Sequence, residues 1–349
     1  MNPSFQRLMA EATRLTRGGN LQRATAAIRA ALARAVAPAA RNDNGVIDIE
    51  AREVDTETAS VAPPPPRAGQ FIAGSHTDAA GTRDYKLYVP PGYRGQALPL
   101  VVMLHGCTQN PDDFAAGTGM NDAALEREFF VLYPAQAQGA NASRCWNWFK
   151  HNHQRRGRGE PALLAGMTRD VMQRYHIDPH RVYAAGLSAG GAMAAILGDA
   201  YPDLFAAVGV HSGLPTGSAN DVKSAFTAMK AGSAAAAGGS AGHPLPTIVF
   251  HGDQDTTVHP VNGDQVVAAS AGAATPQHER ARSDNGREFT RRTYRDASGR
   301  AVAEHWTVHG AGHAWSGGSA RGSYTDPKGP DATEEMLRFF FANTLRPSL

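Results

Sequence analysis

The 349-residue chain is poor in cysteine, with only Cys107 and Cys145, and it has no apolar run as long as a transmembrane helix. It contains 14 histidines, but it lacks a His-Glu-x-x-His motif and any Cys/His cluster with the spacing of metal ligands. The formal net charge is +2, and no basic stripe with interleaved aromatic residues is present. We therefore expect no transmembrane segment, no metal site, no cofactor and no nucleic-acid partner.

Residues 1–37 have the pattern of two short amphipathic helices. Apolar residues recur at helical spacing on both sides of a break at Gly18-Gly19-Asn20. Six arginines accompany Glu11 as the only acid, and no apolar stretch with a cleavage site resembles a secretory signal. The segment is predicted to be a helical hairpin that packs on the rest of the chain or on another subunit, or a basic amphipathic anchor for an apolar surface.

Residues 38–67 are expected to form a linker, and residues 68–349 an α/β domain. The linker is acidic over Asp43–Glu57 and contains four consecutive prolines, which favour a stiff polyproline II spacer. Strand and helix patterns then alternate, as in a mostly parallel sheet with helices on both faces. Residues 231–243 are of low complexity and predict a surface loop. Strands are predicted near residues 69–73, 84–89, 100–104, 129–133, 181–185, 206–210, 247–251 and 302–308, and helices near 160–175, 190–200, 218–230, 260–272 and 332–344.

A serine lies between two glycines at residues 186–190, in the pentapeptide Gly-Leu-Ser-Ala-Gly. A short apolar strand candidate precedes this pentapeptide, and an Ala-rich helix candidate follows it. A serine on the sharp turn between such a strand and helix is the nucleophile elbow of an α/β-hydrolase. The glycines are needed because the turn is strained and crowded. We therefore predict an α/β-hydrolase fold with Ser188 as the nucleophile.

The catalytic acid is expected after the serine, because the triad of this fold follows the order serine, acid, histidine. The strand candidate at 247–251 runs into a loop with two carboxylates, Asp253 and Asp255. Loops at the carboxyl ends of strands are where an α/β sheet places its working residues. Asp253 is nearer to the strand end, where a carboxylate more often braces the loop, so we assign Asp255 as the acid and keep Asp253 as the alternative.

The base is expected in a glycine-containing loop after the strand candidate at 302–308, where His313 lies. Serine is a weak nucleophile and needs a base to take its proton, and a carboxylate must hold that base in the right tautomer. We therefore assign His313 as the base. His305 and His309 belong to the strand candidate and its edge and are expected to pack in the fold or to lie on the surface. His251 and His259 flank the acid loop and are expected to be ordinary loop residues.

The backbone donors of an oxyanion hole are predicted at Cys107 and Ala189. An apolar strand candidate ends in His105-Gly106, at the position of the loop that supplies one oxyanion N–H in α/β-hydrolases. The second N–H comes from the residue after the nucleophile. Two preorganised donors at the developing charge lower the barrier by several kcal/mol.

The two cysteines leave two interpretations open, because Cys145 lies in a tryptophan-rich stretch. They are either free buried thiols or a disulfide that joins this stretch to the loop of Cys107. Disulfides are rare in a reducing cytosol. Trp146, Trp148 and Trp315 lie near the predicted site loops and are candidate substrate contacts in an apolar acyl pocket, with core packing as the alternative.

The motifs together resemble the polyhydroxybutyrate (PHB) depolymerase family of serine esterases over roughly residues 70–345. The His-Gly-Cys and Cys-Trp-Asn-Trp segments are more specific to that family than the serine elbow. Carried over residue by residue, the resemblance implies a triad of Ser188, Asp255 and His313, and it supports a disulfide between Cys107 and Cys145. The matching segments are 105–109, 145–148, 186–191, 251–258 and 310–315.

The resemblance implies hydrolysis of short-chain poly(3-hydroxyalkanoates) or their oligomers through an acyl-enzyme intermediate. The alternatives are an acetyl- or feruloyl-type carboxylesterase on polysaccharides or soluble esters and, more remotely, a non-catalytic granule-binding protein, which the complete triad argues against. The expected partners are a polyester or small ester and, through residues 1–37, a polyhydroxyalkanoate granule. The lack of an export signal predicts a cytoplasmic, granule-associated enzyme, whereas a disulfide favours the extracellular location of secreted family members.

Overall fold

The computed structural model describes residues 69–233, 245–284 and 286–345. The helical segment predicted at 1–37 and the linker predicted at 38–67 lie outside the described residues. Most of the loop predicted at 231–243 also lies outside them. The described ranges form a ten-stranded sheet and a two-stranded ribbon.

The central strands of the large sheet follow apolar segments of the sequence. Strands between two parallel neighbours, such as β3 and β6, are almost entirely buried and consist of near-continuous apolar runs, as expected for a sheet that is covered on both faces. The strands are β1 (Gln70–Asp78), β2 (Gly81–Val89), β3 (Leu98–Leu104), β4 (Phe130–Pro134), β5 (Ile177–Leu187), β6 (Ala207–His211), β7 (Thr247–Gly252), β8 (Gln277–Arg282), β9 (Glu288–Arg295), β10 (Ala301–Val308), β11 (Trp315–Ser316) and β12 (Thr325–Asp326).

The large sheet has the order β1-β2-β4-β3-β5-β6-β7-β10-β9-β8. From β4 to β10 in this order, each strand is parallel to the next. The pairs β1–β2, β2–β4, β10–β9 and β9–β8 are antiparallel. The mostly parallel sheet predicted from the sequence is therefore confirmed.

Helices cover both faces of this sheet, since parallel strands require crossovers between them. Alternate residues of β3 point to two different apolar cores: Val102 and Leu104 lie in the first, and Val101 and Met103 lie in the second. The helices are α1 (Pro111–Thr118), α2 (Met120–Arg127), α3 (Gly159–Arg174), α4 (Ala189–Ala200), α5 (Val222–Ala231), α6 (Val261–Ala271) and α7 (Ala332–Phe341), with a short 3₁₀ turn at His151–His153.

The two cores are completed by different helices. Residues of α3 and α4 contribute to the first core, and residues of α1, α2 and α7 contribute to the second. The predicted helices on both faces are therefore confirmed.

The parallel pairing brings five loops to one edge of the sheet. Leu187 at the end of β5 is paired with His211 at the end of β6, and His211 is paired with Phe250 of β7. Val308 at the end of β10 is paired with Gly252 at the end of β7. The loops after β3, β5, β6, β7 and β10 therefore meet at the carboxyl edge of the sheet, which is where such folds carry their sites.

Several elements differ from the prediction. The helix predicted at 218–230 begins at Val222, because the Asp221 side chain accepts the Ser224 N–H and caps it. The terminal helix ends at Phe341 and not at residue 344. The elements that were not predicted include α1 and α2, which have only eight residues each, and the paired strands β8 and β9. Strand β8 is a mostly exposed edge strand of polar residues, so it lacks apolar alternation.

In the part of the chain that the structure describes, no helix combines the length and the apolar character needed to cross a membrane.

Candidate active site

Ser188 occupies the sharp turn between β5 and α4. Its backbone angles, φ 58° and ψ −119°, lie in a region that non-glycine residues rarely adopt. A Cβ atom at Gly186 would lie 2.4 Å from a backbone atom of Gly190, and one at Gly190 would lie 1.9 Å from the Leu104 carbonyl oxygen. The two glycines therefore allow β3, β5 and the turn to approach closely, and they hold a half-buried serine at the sheet edge.

His313 and Asp255 form a hydrogen-bonded pair. Nδ1 of the imidazole lies 2.7 Å from Oδ2 of the carboxylate. The histidine side chain is 12% exposed, and the carboxylate side chain is fully buried. Because β7 and β10 are adjacent and parallel, the loops that follow them bring the two residues together. A carboxylate at Nδ1 fixes the tautomer in which Nε2 can accept a proton.

Asp255 is ionised because its hydrogen bonds outweigh its burial. Burial alone would raise the pKa of this carboxyl, but hydrogen bonds from His251, His313 and the Val258 N–H hold the pKa well below its ordinary value. Oδ1 accepts the backbone N–H groups of Thr257 and Val258, each at 2.9 Å. The negative charge is therefore available to stabilise an imidazolium on the neighbouring ring.

Asp253, the alternative acid, has a different partner. Its Oδ2 lies 2.9 Å from Nδ1 of His309, and its Oδ1 accepts the Gly310 N–H at 2.7 Å. These contacts connect the end of β7 to the start of the loop that carries His313. The structure therefore pairs Asp255, and not Asp253, with the candidate base.

The loops of Ser188 and His313 are connected through a residue that the sequence did not single out, His211. Its backbone oxygen accepts the Ser188 N–H, and its ring accepts the N–H of Ser316, three residues after His313. Within the described residues the Ser188 hydroxyl makes no hydrogen bond to the His313 ring. Such bonds are often long until substrate binds, so the arrangement is compatible with a nucleophile and its base.

The other candidate histidines have separate surroundings. His305 is buried in β10, as expected of a packing residue, and His259 is exposed in the acid loop. His251 is buried, and its Nε2 lies 2.8 Å from the Val258 carbonyl oxygen and 3.4 Å from Asp255 Oδ2. The expectation that His251 is an ordinary loop residue is therefore wrong, because its ring faces the candidate acid.

The predicted oxyanion donors flank Ser188. Ala189 is the first residue of α4, so its N–H has no acceptor within the helix. The loop of Cys107 passes close to the serine, since a Cβ atom at Gly106 would lie 3.7 Å from the Ser188 Cβ. In the described ranges the N–H groups of Cys107 and Ala189 have no hydrogen-bond acceptor. Both are therefore free to donate to a developing oxyanion.

Cys107 and Cys145 form a disulfide, so the interpretation of two free thiols is wrong. The bridge joins the loop after β3 to the loop after β4, and the two Cα atoms are 4.2 Å apart. Beside it, the Thr108 N–H donates to the Ser143 carbonyl oxygen at 2.7 Å. The loop that carries one candidate oxyanion donor is therefore held by a covalent cross-link.

A buried carboxylate, Glu160, supports the segment Cys145–Trp148. Its Oε2 accepts the Asn147 N–H at 2.7 Å, and its Oε1 accepts the side-chain amides of Asn147 at 2.7 Å and Gln136 at 2.5 Å. Burial would raise the pKa of this carboxyl, but its hydrogen bonds with His153, Gln136 and Asn147 lower it below the ordinary value. The only sequence signal for this role is an acid in the first turn of α3.

The tryptophans predicted to contact substrate are packed in the core. Trp146 and Trp315 are 0% and 1% exposed, and their indole N–H groups donate to the His105 carbonyl oxygen and Thr333 Oγ1, both at 3.1 Å. The predicted contact is therefore wrong for these two, because each indole has an internal partner and no exposed face. Trp148 is 5% exposed, and its contact with substrate stays a prediction.

Among the described side chains, no three of His, Cys, Asp or Glu come together as a metal site. The loops at the carboxyl edge of the sheet carry the serine, the hydrogen-bonded imidazole and carboxylate, and the two backbone N–H groups. These are the groups that a nucleophile, a base with its orienting acid and an oxyanion hole require.

The chain is similar in sequence to known proteins over more than half of its length. A family model described as "Esterase PHB depolymerase" matches residues 83–273. The poly(3-hydroxyalkanoate) depolymerase C of Paucimonas lemoignei is 35% identical over 237 residues, which cover 65% of this chain and 57% of that protein. The poly(3-hydroxybutyrate) depolymerase of Ralstonia pickettii is 31% identical over 268 residues, which cover 71% of this chain and 54% of that protein.

A third relative is named for a different ester. The probable acetylxylan esterase A of Aspergillus fumigatus is 29% identical over 214 residues, which cover 55% of this chain and 55% of that protein. The chain thus spans little more than half the length of these curated relatives.

Solved structures share the fold at low sequence identity. The acetyl xylan esterase from Aspergillus awamori matches with a TM-score of 0.61 and 19% identity, over 78% of this chain and 99% of that one. A puromycin-hydrolyzing peptidase from Mycobacterium tuberculosis matches with a TM-score of 0.52 and 15% identity, over 82% of this chain and 41% of that one. These similarities confirm the α/β-hydrolase fold and carry no information on substrate.

Proposed function

The chain belongs to the family of PHB depolymerase esterases, and from that premise we propose that it is a serine esterase that hydrolyses short-chain poly(3-hydroxyalkanoates) or their oligomers. The observation that carries the proposal is the 2.7 Å pair of His313 and Asp255 at the same sheet edge as the elbow serine, Ser188. The names of the two depolymerase relatives support the substrate class.

In the proposed acylation step, His313 removes the hydroxyl proton of Ser188 as the serine oxygen attacks the ester carbonyl carbon. The carbonyl oxygen becomes an oxyanion and accepts the N–H groups of Cys107 and Ala189. The imidazolium then gives its proton to the leaving alkoxide, and the ester C–O bond breaks. Asp255 remains ionised throughout and stabilises the imidazolium.

In the proposed deacylation step, a water molecule attacks the acyl group on Ser188. His313 takes a proton from this water and returns it to the serine oxygen as the acyl bond breaks. The products are a free carboxylic acid and the original serine. Because the path has two chemical steps, a soluble ester with a good leaving group should show a burst of alcohol release when deacylation is the slower step.

The test compares amorphous poly(3-hydroxybutyrate) granules with soluble butyrate, acetyl and feruloyl esters, using Ser188→Ala as the matched blank. Clearing of the granules by the wild type, with release of hydroxybutyrate units, supports the proposal. Hydrolysis of soluble esters alone would retain the triad and reject the polyester. Equal hydrolysis by the wild type and Ser188→Ala would reject Ser188 as the nucleophile, and no hydrolysis by either protein would leave a non-catalytic granule-binding protein.

An acetyl- or feruloyl-type carboxylesterase is the second candidate, because it would use the same triad. The 29% identity to a relative named as a probable acetylxylan esterase favours it. The two candidates differ in the leaving group, which is a hydroxyacid in the polyester and a sugar hydroxyl in the polysaccharide. A higher kcat/KM for acetylated xylan than for hydroxybutyrate oligomers would select this second function.

We also propose that the protein works in an oxidising compartment. The disulfide between Cys107 and Cys145 supports this location over the cytoplasm, because cytosolic disulfides are rare. A count of free thiols on the denatured protein as isolated from its native source tests the idea: no free thiol supports it, and two free thiols reject it. Attachment to a granule through residues 1–37 is a separate proposal, and unchanged granule binding after their deletion would reject it.

A further inference from the structure

His211 contacts both catalytic loops without belonging to the candidate triad. It is the last residue of β6, between β5, which leads to Ser188, and β7, which leads to Asp255. The residue is 1% exposed. His211 therefore contacts other residues of the protein and not solvent, and these contacts show which segments it connects.

The backbone of His211 supports the nucleophile turn. Its carbonyl oxygen accepts the Ser188 N–H at 2.9 Å. Ser188 is held at a positive φ, which is an unfavourable conformation for a serine and needs support from its surroundings. The residue after His211, Ser212, also has a positive φ of 48°, and its N–H donates to the Phe250 carbonyl oxygen at 2.8 Å.

The ring of His211 supports the loop of the base. Its Nε2 lies 2.9 Å from the backbone nitrogen of Ser316, three residues after His313. A backbone N–H can only donate, so this Nε2 must be the unprotonated acceptor. Its proton is then on Nδ1, which lies 3.1 Å from the Ser212 hydroxyl. One neutral tautomer satisfies both ring nitrogens.

Aromatic neighbours hold the ring in this orientation. The His211 ring is stacked on Phe250 with an interplanar angle of 16° and on Trp315 with an angle of 26°. Burial lowers the pKa of His211 well below its ordinary value, and the nearby His251 and His313 lower it further. The ring therefore remains a neutral acceptor even when a proton passes to His313.

We propose that His211 is a positioning residue that fixes the Ser188 turn and the His313 loop relative to each other, through its carbonyl oxygen on one side and its Nε2 on the other. The proposal rests on the esterase chemistry above but not on the polyester substrate. Without the Nε2 contact, the Trp315–Ser316 segment would lose one hydrogen bond, and the base would shift relative to the serine. Such a shift lowers the rate of the chemical steps and leaves binding of a small ester almost unchanged.

The test compares His211→Gln with His211→Asn. Glutamine can place an amide oxygen near the position of Nε2, whereas asparagine is too short to reach the Ser316 N–H. Both substitutions remove the stacked ring, so they share its structural cost. His305→Asn is the matched control, because His305 is equally buried in β10 but contacts Arg292 and not the loops of the site.

Two rates are measured at pH 8: hydrolysis of p-nitrophenyl butyrate, and phosphorylation of the enzyme by diethyl p-nitrophenyl phosphate. We expect kcat and the phosphorylation rate of His211→Asn to fall about 10- to 100-fold with little change in KM, and those of His211→Gln to recover most of this loss. His305→Asn should lower the melting temperature without lowering either rate.

Two results would overturn the proposal. One is an equal loss of kcat and of phosphorylation rate in His211→Gln and His211→Asn, explained by their lower melting temperatures alone. The other is an unchanged kcat in His211→Asn. If His211→Asn does not fold, Trp315→Leu removes a stacking partner and keeps the Ser316 N–H; we then expect a lower kcat at constant KM, and an unchanged kcat overturns the proposal. If the wild type shows neither reaction, the proposed esterase function is wrong. That result is obtained before any variant is measured, so it is distinct from a failure of the proposal on His211.

Discussion

The two halves of the candidate site, the acid–base side and the oxyanion side, are each stabilised by a different kind of bond. On the acid–base side, the Asp255 carboxylate contacts the rings of His313 and His251, and the His211 ring accepts the Ser316 N–H in the loop of the base. On the oxyanion side, the disulfide of Cys107 fixes the loop covalently. Glu160 supports the segment that carries the other cysteine, Cys145, by accepting the backbone N–H and the side-chain amide of Asn147.

The difference follows from what each half must do. The proposed base changes its protonation state in every cycle, so its supports must stabilise a charge that appears and disappears. The oxyanion donors are backbone N–H groups that only have to remain in place. We therefore expect substitutions on the acid–base side to change kcat most, and substitutions on the oxyanion side to change stability most.

The largest effect is expected from Asp255→Asn on the acid–base side. An asparagine would leave His313 in the wrong tautomer and without a carboxylate to stabilise its charge, so kcat should fall about 10⁴-fold. The measurement is steady-state hydrolysis of p-nitrophenyl butyrate. Asp253→Asn is the matched control, because Asp253 pairs with His309, and it should cause a far smaller loss. Equal losses in the two variants would contradict the assignment of the acid.

The largest loss of stability is expected from the double substitution Cys107→Ser with Cys145→Ser. Removing a cross-link between residues 38 apart should lower the free energy of unfolding by about 3–4 kcal/mol, mainly by freeing the unfolded chain. The backbone N–H of residue 107 is retained, so kcat should fall much less than in Asp255→Asn. Urea unfolding with and without a thiol reductant measures the change. A double variant as stable as the oxidised wild type would contradict this prediction.

A smaller loss of stability is expected from Glu160→Gln. The new amide group faces donors from Asn147 and Gln136 and leaves at least one of them unsatisfied, which costs about 1–3 kcal/mol. Glu334→Gln is the control, since Glu334 is a partly exposed helix residue paired with Arg127, and exposed pairs contribute about 0–1 kcal/mol. Equal unfolding midpoints for the two variants would show that Glu160 does not support the loop.

The smallest change in stability is expected from the titration of His105, a buried histidine of the oxyanion side. Burial lowers its pKa to about 4, so the folded state favours the neutral ring. Its stabilisation is complete above the ordinary pKa of about 6.5 and is lost as the pH falls towards 4, so about 1 kcal/mol is lost between pH 7 and pH 6. His105→Gln, which can still accept the Gln136 N–H, should lose less stability over this interval than the wild type. Urea unfolding at both pH values measures the difference, and equal losses in the two proteins would contradict this prediction.

The sequence predicted the positions of those parts of the candidate site that have local signals. The glycines around Ser188 indicate a crowded turn. The order serine, acid, histidine along the chain indicates which loops carry the acid and the base. The strands of the central sheet were predicted because buried parallel strands are continuous apolar runs. These features depend on neighbours within a few residues along the chain.

Other parts of the site depend on contacts that are distant in sequence. The ring of His211 meets Ser316, 105 residues away, and no local pattern distinguishes it from a buried histidine without a role. Trp146 and Trp315 lie near the site loops in sequence, but their rings are buried in the two apolar cores. The edge strand β8 is exposed and therefore has no apolar alternation to detect.

In the proposed mechanism, Ser188 is a nucleophile that His313 and Asp255 activate. The most direct measurement is to treat the wild type and Asp255→Asn with diethyl p-nitrophenyl phosphate and to locate the adduct by peptide mass spectrometry. We expect one diethyl phosphoryl group on Ser188 in the wild type, formed together with the loss of esterase activity, and a much slower reaction in Asp255→Asn. An adduct on another residue, or full esterase activity with Ser188 modified, would contradict the account.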